Sequence, residues 1–330
     1  MPKQAVLLLA HGTPETVDQI PEYLRNVVSG RPIPQHVVEE IQHRYAQIGQ
    51  SPLTAITLEQ ARLVEAELAA SGFPVPVYVG MRNWRPYISD VVRQMRADGV
   101  EQAAVICMAP QNSRTSVGLY RRAVEAEAGG LRIHFTEGWA QHPLLAEAFA
   151  ERLRPTLSKL TAETGAPVPV LFTAHSVPTR TVQPPSPASS APDASLQTEP
   201  RLWPGGQGPD PYADEARHTA ELVAARVPEI PRWWFAFQSQ GASGGPWIGP
   251  SVEETLESIA AERVKTLILQ PIGFLCDHVE VLYDVDILFR GLAVQLGIRL
   301  ERPESLNASP VLARAVSELA QKGLIQLSGK

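Results

Sequence analysis

VLFTAHSVP at Val170–Pro178 repeats VLLLAHGTP at Val6–Pro14, half a chain earlier, and this pair decides the fold. Each copy is a short, unbroken apolar run that ends in Ala-His and turns at a proline. An apolar run without alternation reads as a strand buried on both faces, as in a parallel sheet covered by helices. A histidine at the end of such a strand stands at the carboxyl edge of the sheet, where open α/β folds bind ligands. His11 and His175 therefore occupy matching places in two similar halves and point to one cleft between them.

Other landmarks repeat at nearly the same spacing. His11 and His175 lie 164 residues apart, Trp84 and Trp247 163, and Pro110 and Pro271 161. Each tryptophan precedes a proline and a helix, and each of the two prolines is expected to close an apolar strand. This reads as an old duplication. Strands are expected at Ala5–Ala10, Val75–Val79, Ala103–Met108, Leu131–Phe135, Val168–Thr173, Trp233–Phe237 and Thr266–Gln270. Amphipathic helical segments lie between them, among them Pro52–Ala70, Ile88–Ala97, Pro143–Leu160, Asp214–Arg226 and Ser251–Glu262. Strands alternating with helices give an α/β fold with parallel sheets.

At 330 residues the chain exceeds one ordinary core, so two domains are expected, 1–150 and 151–330, the second ending in a C-terminal helix. A net charge of −6 argues against nucleic acid as a partner. There is no apolar run of about 18 residues, hence no transmembrane segment, and no leader-like amino terminus. Cys107 and Cys276 lack the spacing for a structural zinc site and are too few for a four-thiolate iron–sulfur centre. Two reduced thiols place the chain in the cytoplasm.

Thr181–Pro211 differs from its surroundings, with seven prolines between Pro184 and Pro209 and many serines and alanines. It buries too little apolar surface to offset its ordering, and reads as a mobile insertion. A lid over the second histidine motif is the other reading of it.

Four constellations carry chemistry. PIGFLCDHVEVLYDVD at Pro271–Asp286 begins at a strand's end; continued as a helix, it aligns Asp277, Glu280 and Asp284 at i, i+3 and i+7, with His278 inside the row. A solvated charged face is the plain reading of such a stripe, but its place at a sheet edge favours a row of proton or cation acceptors. His175 titrates near neutrality and is suited to accept a proton or ligate a divalent metal. GMRNWRPY at Gly80–Tyr87 puts Arg82 directly after a strand, where it would pair with substrate carboxylates, whereas Arg85 reads as a surface charge. FQSQGASGGPWIGP at Phe237–Pro250 brings glycines and Ser239 to the same edge. His36, His43, His134, His142 and His218 lack such settings. Nucleotide-binding glycine motifs are missing.

With these blocks, together with RYAQIGQSPL (Arg44–Leu53) and MAPQNS, the chain resembles class I ferrochelatases, for protoporphyrin or coproporphyrin III, from about Val6 to Ala320. The resemblance implies two Rossmann-like domains, each a four-stranded parallel sheet flanked by helices, with an active-site cleft between them. It implies porphyrin and Fe2+ as substrates, haem as product, a late step of haem biosynthesis and no tightly bound cofactor; the sequence leaves the oligomeric state open, with a monomer favoured. It makes His175 and Glu280 the catalytic and metal-binding pair, as base or ligand, with Asp277, His278 and Asp284 a proton path along a helix widened to π geometry. Tyr45, Ser51, Arg82 and Ser239 match porphyrin-contacting positions. His11 falls where coproporphyrin-type members carry a tyrosine that touches the product's iron. Asn112 replaces an aromatic in MAPQNS, and Leu288 stands where some members carry a further acid. Arg31, Arg82 and Arg114 are candidates for extra carboxylates. A cobalt or nickel chelatase of another tetrapyrrole would generally lack the DHVEVLYD block, and a non-catalytic carrier would not need both His175 and Glu280.

Overall fold

The computed structural model describes residues 2–182, 209–240 and 245–329. Strands β1 (Gln4–Ala10), β2 (Val77–Met81), β3 (Gln102–Cys107) and β4 (Arg132–Thr136) form one parallel sheet in the order β2-β1-β3-β4. Strands β5 (Val170–His175), β6 (Trp233–Gln238), β7 (Thr266–Pro271) and β8 (Arg299–Glu301) form a second in the order β6-β5-β7-β8. β1 and β5 are inner strands, buried along nearly their whole length, which is why both read as unbroken apolar runs.

The duplication is visible in the pairing. Ala10 faces Met81 in the first sheet, and Ala174 faces Phe237 in the second. Met81 N–H donates to the Pro86 carbonyl at 2.7 Å, and Phe237 N–H to the Pro250 carbonyl at 2.8 Å. Met108 N–H donates to Leu9 and Ile272 N–H to Thr173, each at 2.8 Å. Pro110 is therefore not the counterpart of Pro271. β3 has already ended at Cys107, and Pro110 lies in the loop beyond it.

Helices α1 (Ile20–Val27), α2 (Gln35–Ile48) and α3 (Leu53–Ala70) join β1 to β2. α4 (Ile88–Ala97) and α5 (Val117–Glu127) lead into and out of β3, and α6 (Pro143–Thr164) links the two sheets. The second half adds α7 (Thr179–Val182), α8 (Tyr212–Arg226), α9 (Val252–Ala261), α10 (Val279–Leu282), a π-helix (Asp284–Phe289) and α11 (Arg290–Gln295). The last helix is α12 (Pro310–Leu327).

Two expectations need correction. A boundary at residue 150 cuts through α6, whose buried side chains Phe149, Leu153 and Leu157 belong to one core with residues of both sheets. The C-terminal helix does not complete the second domain: α12 packs on α3, β3 and β4 of the first sheet, and on α6. Gly323 allows that approach, because a Cβ there would stand 3.0 Å from Ala104 Cβ and 2.7 Å from the His134 ring. β8 went unread because Arg-Leu-Glu holds one apolar residue between two charges, too little to mark a strand. Of the proline-rich segment 181–211, residues 183–208 lie outside the described residues, as do 241–244 of the glycine-bearing loop.

Candidate active site

The carboxyl edges of the two sheets face a cavity of about 340 Å³. His11, Arg82, His175, His278 and Glu280 all line it, as does Tyr23. His11 directly follows β1, and Gly12 then turns the chain at φ 79°, where a Cβ would stand 2.8 Å from Met81 Cβ. That turn needs glycine. His175 is the last residue of β5, and Tyr212 Oη donates to its carbonyl at 2.8 Å.

His175 and Glu280 form the centre of the second half. Nδ1–H of His175 donates to the Ser176 carbonyl, which leaves Nε2 facing Glu280 Oε1 at 3.0 Å. Both side chains are about a third exposed, 31% and 34%, so they are open to the cavity. Burial by itself would lower the imidazole pKa, but the Glu280 carboxylate, its hydrogen bond and the Ser176 carbonyl outweigh this and raise it to about 9. For Glu280, burial would raise the carboxyl pKa; the His175 charge and hydrogen bond prevail and lower it to about 2. At neutral pH the pair is an imidazolium beside a carboxylate.

Asp284 lies behind Glu280, at the start of the π-helix. Ser239 Oγ donates to its Oδ2 at 2.5 Å, and Arg44 from α2 approaches Oδ1 at 3.3 Å. Arg44 also pairs with Glu40 and rests 5.2 Å from the Tyr283 ring centre. Burial raises the Asp284 pKa to about 6, against the lowering effect of the Ser239 hydrogen bond; Glu280 adds to the rise and Arg44 opposes it. A carboxyl poised there can take or release a proton near neutrality.

The row of three acids is not one stripe. His278 is extended (φ −161°, ψ −176°) and caps α10, so Asp277 precedes the helix and points elsewhere. Its carboxylate accepts from Ser305 at 2.6 Å and Asn307 at 2.9 Å, and lies 3.2 Å from Arg302, which also binds Asp286. Asp277 thus braces the loop before α12 and does not line the cavity, so it stands apart from Glu280 and Asp284 rather than in a row with them. His278 Nδ1 accepts from the Glu280 N–H at 3.2 Å, so in the neutral ring the proton sits on Nε2. Burial lowers its pKa. His278 lines the cavity and meets Phe274 edge-on, ring centres 4.4 Å apart, with its Nδ1 taken by the Glu280 N–H.

The first half is built differently. His11 Nε2 lies 2.9 Å from Tyr23 Oη, and Asn83 Nδ2 stands 3.1–3.2 Å from both ring nitrogens. Burial and the neighbouring Arg82 charge lower its pKa to about 4, so the ring is neutral. Arg82 is partly buried, 5.8 Å from the Tyr120 ring centre, and donates to the Thr115 carbonyl at 3.3 Å; no carboxylate pairs with it among the described residues. Tyr45, Ser51 and Ser239 do not line the cavity: Tyr45 and Ser51 are buried beside it, and Ser239 holds Asp284. Arg31 is exposed after α1, and neither it nor Arg114 lines the cavity. Leu288 is 46% exposed and Asn112 is buried, its N–H bonded to Glu215. Tyr23, Asn83, Gln238 and Arg44 are not marked by sequence as site residues, although Asn83, Gln238 and Arg44 lie inside the GMRNWRPY, FQSQGASGGPWIGP and RYAQIGQSPL blocks.

Among the described residues no helix is long and apolar enough to cross a membrane, and no group of three or more His, Cys, Asp or Glu is arranged to hold an ion. The ferrochelatase family model matches residues 3–324. A ferrochelatase of Acidobacterium capsulatum is 59% identical over 326 residues, 98% of this chain and 96% of that protein. A coproporphyrin III ferrochelatase of Mycolicibacterium vanbaalenii is 34% identical, covering 97% of this chain and 89% of the other. The sirohydrochlorin chelatase SirB of Bacillus subtilis, solved with cobalt, superposes with a TM-score of 0.56 at 12% identity, over 99% of this chain and 98% of that one. At that identity the likeness speaks for the fold alone, and it is the duplicated two-sheet fold found here. Matched along nearly its whole length in sequence, this chain belongs to the ferrochelatase family.

Proposed function

We propose that the His175–Glu280 pair is where protons leave the porphyrin and ferrous iron enters it. The family's reaction, insertion of Fe2+ into a porphyrin in haem biosynthesis, is an enzymatic one and is the activity of this chain. The observation that carries the site assignment is the 3.0 Å contact of Nε2 and Oε1 at the wall of a cavity shared by both sheets.

A free-base porphyrin keeps two inner N–H protons that must depart before a divalent ion can sit in the plane. The paired state of His175 resists that exchange. Its pKa of about 9 against an ordinary 6.5 corresponds to about 3 kcal/mol favouring the imidazolium. An arriving dication reverses the preference: it repels the ring proton and offers the imidazole nitrogen and the carboxylate a better partner. Glu280 and neutral His175 then hold the iron as it sheds water, and Asp284, one turn on, takes the imidazolium proton and the two porphyrin protons one at a time, passing each to solvent before the next. The Ser239 hydroxyl and Arg44 keep that carboxyl in place. Arg82, a partly buried cation at the cavity wall that no carboxylate pairs among the described residues, takes a propionate, since a partly desolvated charge gains from an opposite one. His11, neutral and in the opposite half, meets the iron from the other face. The porphyrin is read as coproporphyrin III, on the strength of the LAHGTP and RYAQIG blocks and of the relatives named for it; comparison of kcat/KM on coproporphyrin III and protoporphyrin tests this. The cytoplasm is its place, as the two buried thiols, Cys107 and Cys276, accord with a reducing compartment.

Replacing His175 with Ala should lower kcat for anaerobic Fe2+ insertion by about 1,000-fold, while metal-free porphyrin binds within threefold of wild type. Near-normal insertion by that variant would remove His175 from the chemistry.

A further inference from the structure

Glu280 is anchored at its backbone as well as at its carboxylate. Its N–H is taken by His278, and its carbonyl accepts from Gln238 Nε2 at 2.8 Å. Gln238 is 1% exposed, ends β6, and lies directly opposite His175 in the sheet register. Thr173 Oγ1, on β5 two residues before His175 and fully buried, lies 2.6 Å from Gln238 Oε1. The amide has only one orientation that works. A carbonyl can only accept, so the NH2 end must face Glu280, and the oxygen end then receives the Thr173 hydroxyl. The same NH2 group lies 3.3 Å from Ser239 Oγ, the hydroxyl that binds Asp284.

Two strands and one helix are thereby joined through a single buried amide. The strand that carries His175 is tied through Thr173 to Gln238, and Gln238 to the helix that carries Glu280. A two-dimensional register fixes His175 relative to Gln238; the hydrogen bond to the carbonyl fixes Glu280 relative to both. We propose that Gln238, backed by Thr173, is a positioning residue of the insertion reaction, setting where the Glu280 carboxylate stands with respect to the His175 imidazole. Gln238 does not line the cavity and touches neither porphyrin nor iron; it acts through Glu280. Positioning of this kind is felt in the turnover step, because a displacement of about 1 Å in a reacting group costs up to about 100-fold. The proposal rests on the assignment of His175 and Glu280 given above.

The test is a double-mutant cycle on the full chain with Gln238→Met and Thr173→Val, both close in shape to the residues replaced. Gln238→Met should lower kcat about 10-fold with the dissociation constant of metal-free porphyrin within twofold of wild type. Thr173→Val should lower kcat about threefold. The double variant should be no slower than Gln238→Met alone, since the hydroxyl acts only through the amide. The proposal is overturned by wild-type kcat in Gln238→Met, by losses that multiply independently, or by a loss of porphyrin affinity equal to the loss of kcat. Should Gln238→Met fail to fold, Gln238→Glu and Thr173→Val decide: Glu keeps the shape but its carboxylate cannot donate to the carbonyl, and unchanged kcat in both overturns the assignment. Glu280→Gln is measured alongside. If that variant inserts iron normally, the reading of the catalytic pair fails; if it is inactive while Gln238→Met is unaffected, only the positioning role fails.

Discussion

His11 and His175 sit at the same point of two copies of one fold, yet one is neutral and the other charged. His11 follows and His175 ends a buried inner strand, and both line the same cavity. His175 faces a carboxylate and is held protonated, its pKa about 9. His11 faces a phenol, an amide and the Arg82 cation, and is held neutral, its pKa about 4. Strand geometry thus determined where the imidazoles stand, and the partners delivered by other elements determined what each does. The charged one carries a proton on both ring nitrogens beside the Glu280 carboxylate; the neutral one keeps a single ring proton across the physiological range.

The largest expected effect lies with the partner that makes the difference. In Glu280→Ala, His175 loses the charge that raises its pKa, and the two histidines should become alike. Insertion should fall by about 1,000-fold, and the His175 imidazole, followed by NMR through a titration, should move well down from about 9, because only the Ser176 carbonyl and the Asp284 charge then oppose burial. An imidazole that stays near 9 would show that something other than Glu280 charges it.

A smaller effect is expected one turn further. Asp284 with its pKa at about 6 accepts protons only when ionised, so kcat should rise with pH through about 6 and then level. Asp284→Asn should lower kcat by about 30-fold and abolish that rise. A profile that keeps its step near pH 6 in the variant assigns the step to another group.

The mildest change is at His11. His11→Tyr should leave insertion within about threefold of wild type and shift the absorption spectrum of the bound haem product, as a phenolate replaces an imidazole near the iron. Stability should respond as well. The folded pKa of about 4 lies below the unfolded 6.5, so between those values the unfolded chain binds the proton more strongly. The His11 contribution to stability therefore falls as pH drops from 6.5 to 4, by at most about 3 kcal/mol. The tyrosine variant should lose that slope in the melting temperature against pH, and an unchanged slope would place its origin elsewhere. An unchanged spectrum would mean that His11 does not meet the iron.

Much of this was legible in sequence. The two strand-His motifs marked the fold because both inner strands are buried on both faces and so have no polar alternation to blur them. His175, Glu280 and Arg82 were legible because each follows directly on a strand or belongs to a distinctive block. Asp277 was misplaced for a specific reason: helical periodicity was extended back through His278, where the backbone is extended. The π-helix at Asp284–Phe289 was implied by the family resemblance, whereas spacing alone does not distinguish it from an α-helix. The partners that set the charges were hidden. Tyr23, Asn83 and Arg44 meet their targets across 12, 72 and 240 residues, and no local pattern signals such contacts. The domain division failed likewise, because the final helix buries its apolar face on the sheet that begins the chain.

That return of α12 to the first sheet has a consequence during synthesis. The surface of β3 and β4 that it covers is made early, and its cover is made some two hundred residues later. The amino-terminal half cannot finish its core as it leaves the ribosome, although domains commonly fold in that order. It must wait, with apolar surface uncovered, until the last helix arrives, so loss of residues 310–327 should unravel the beginning of the protein rather than its end.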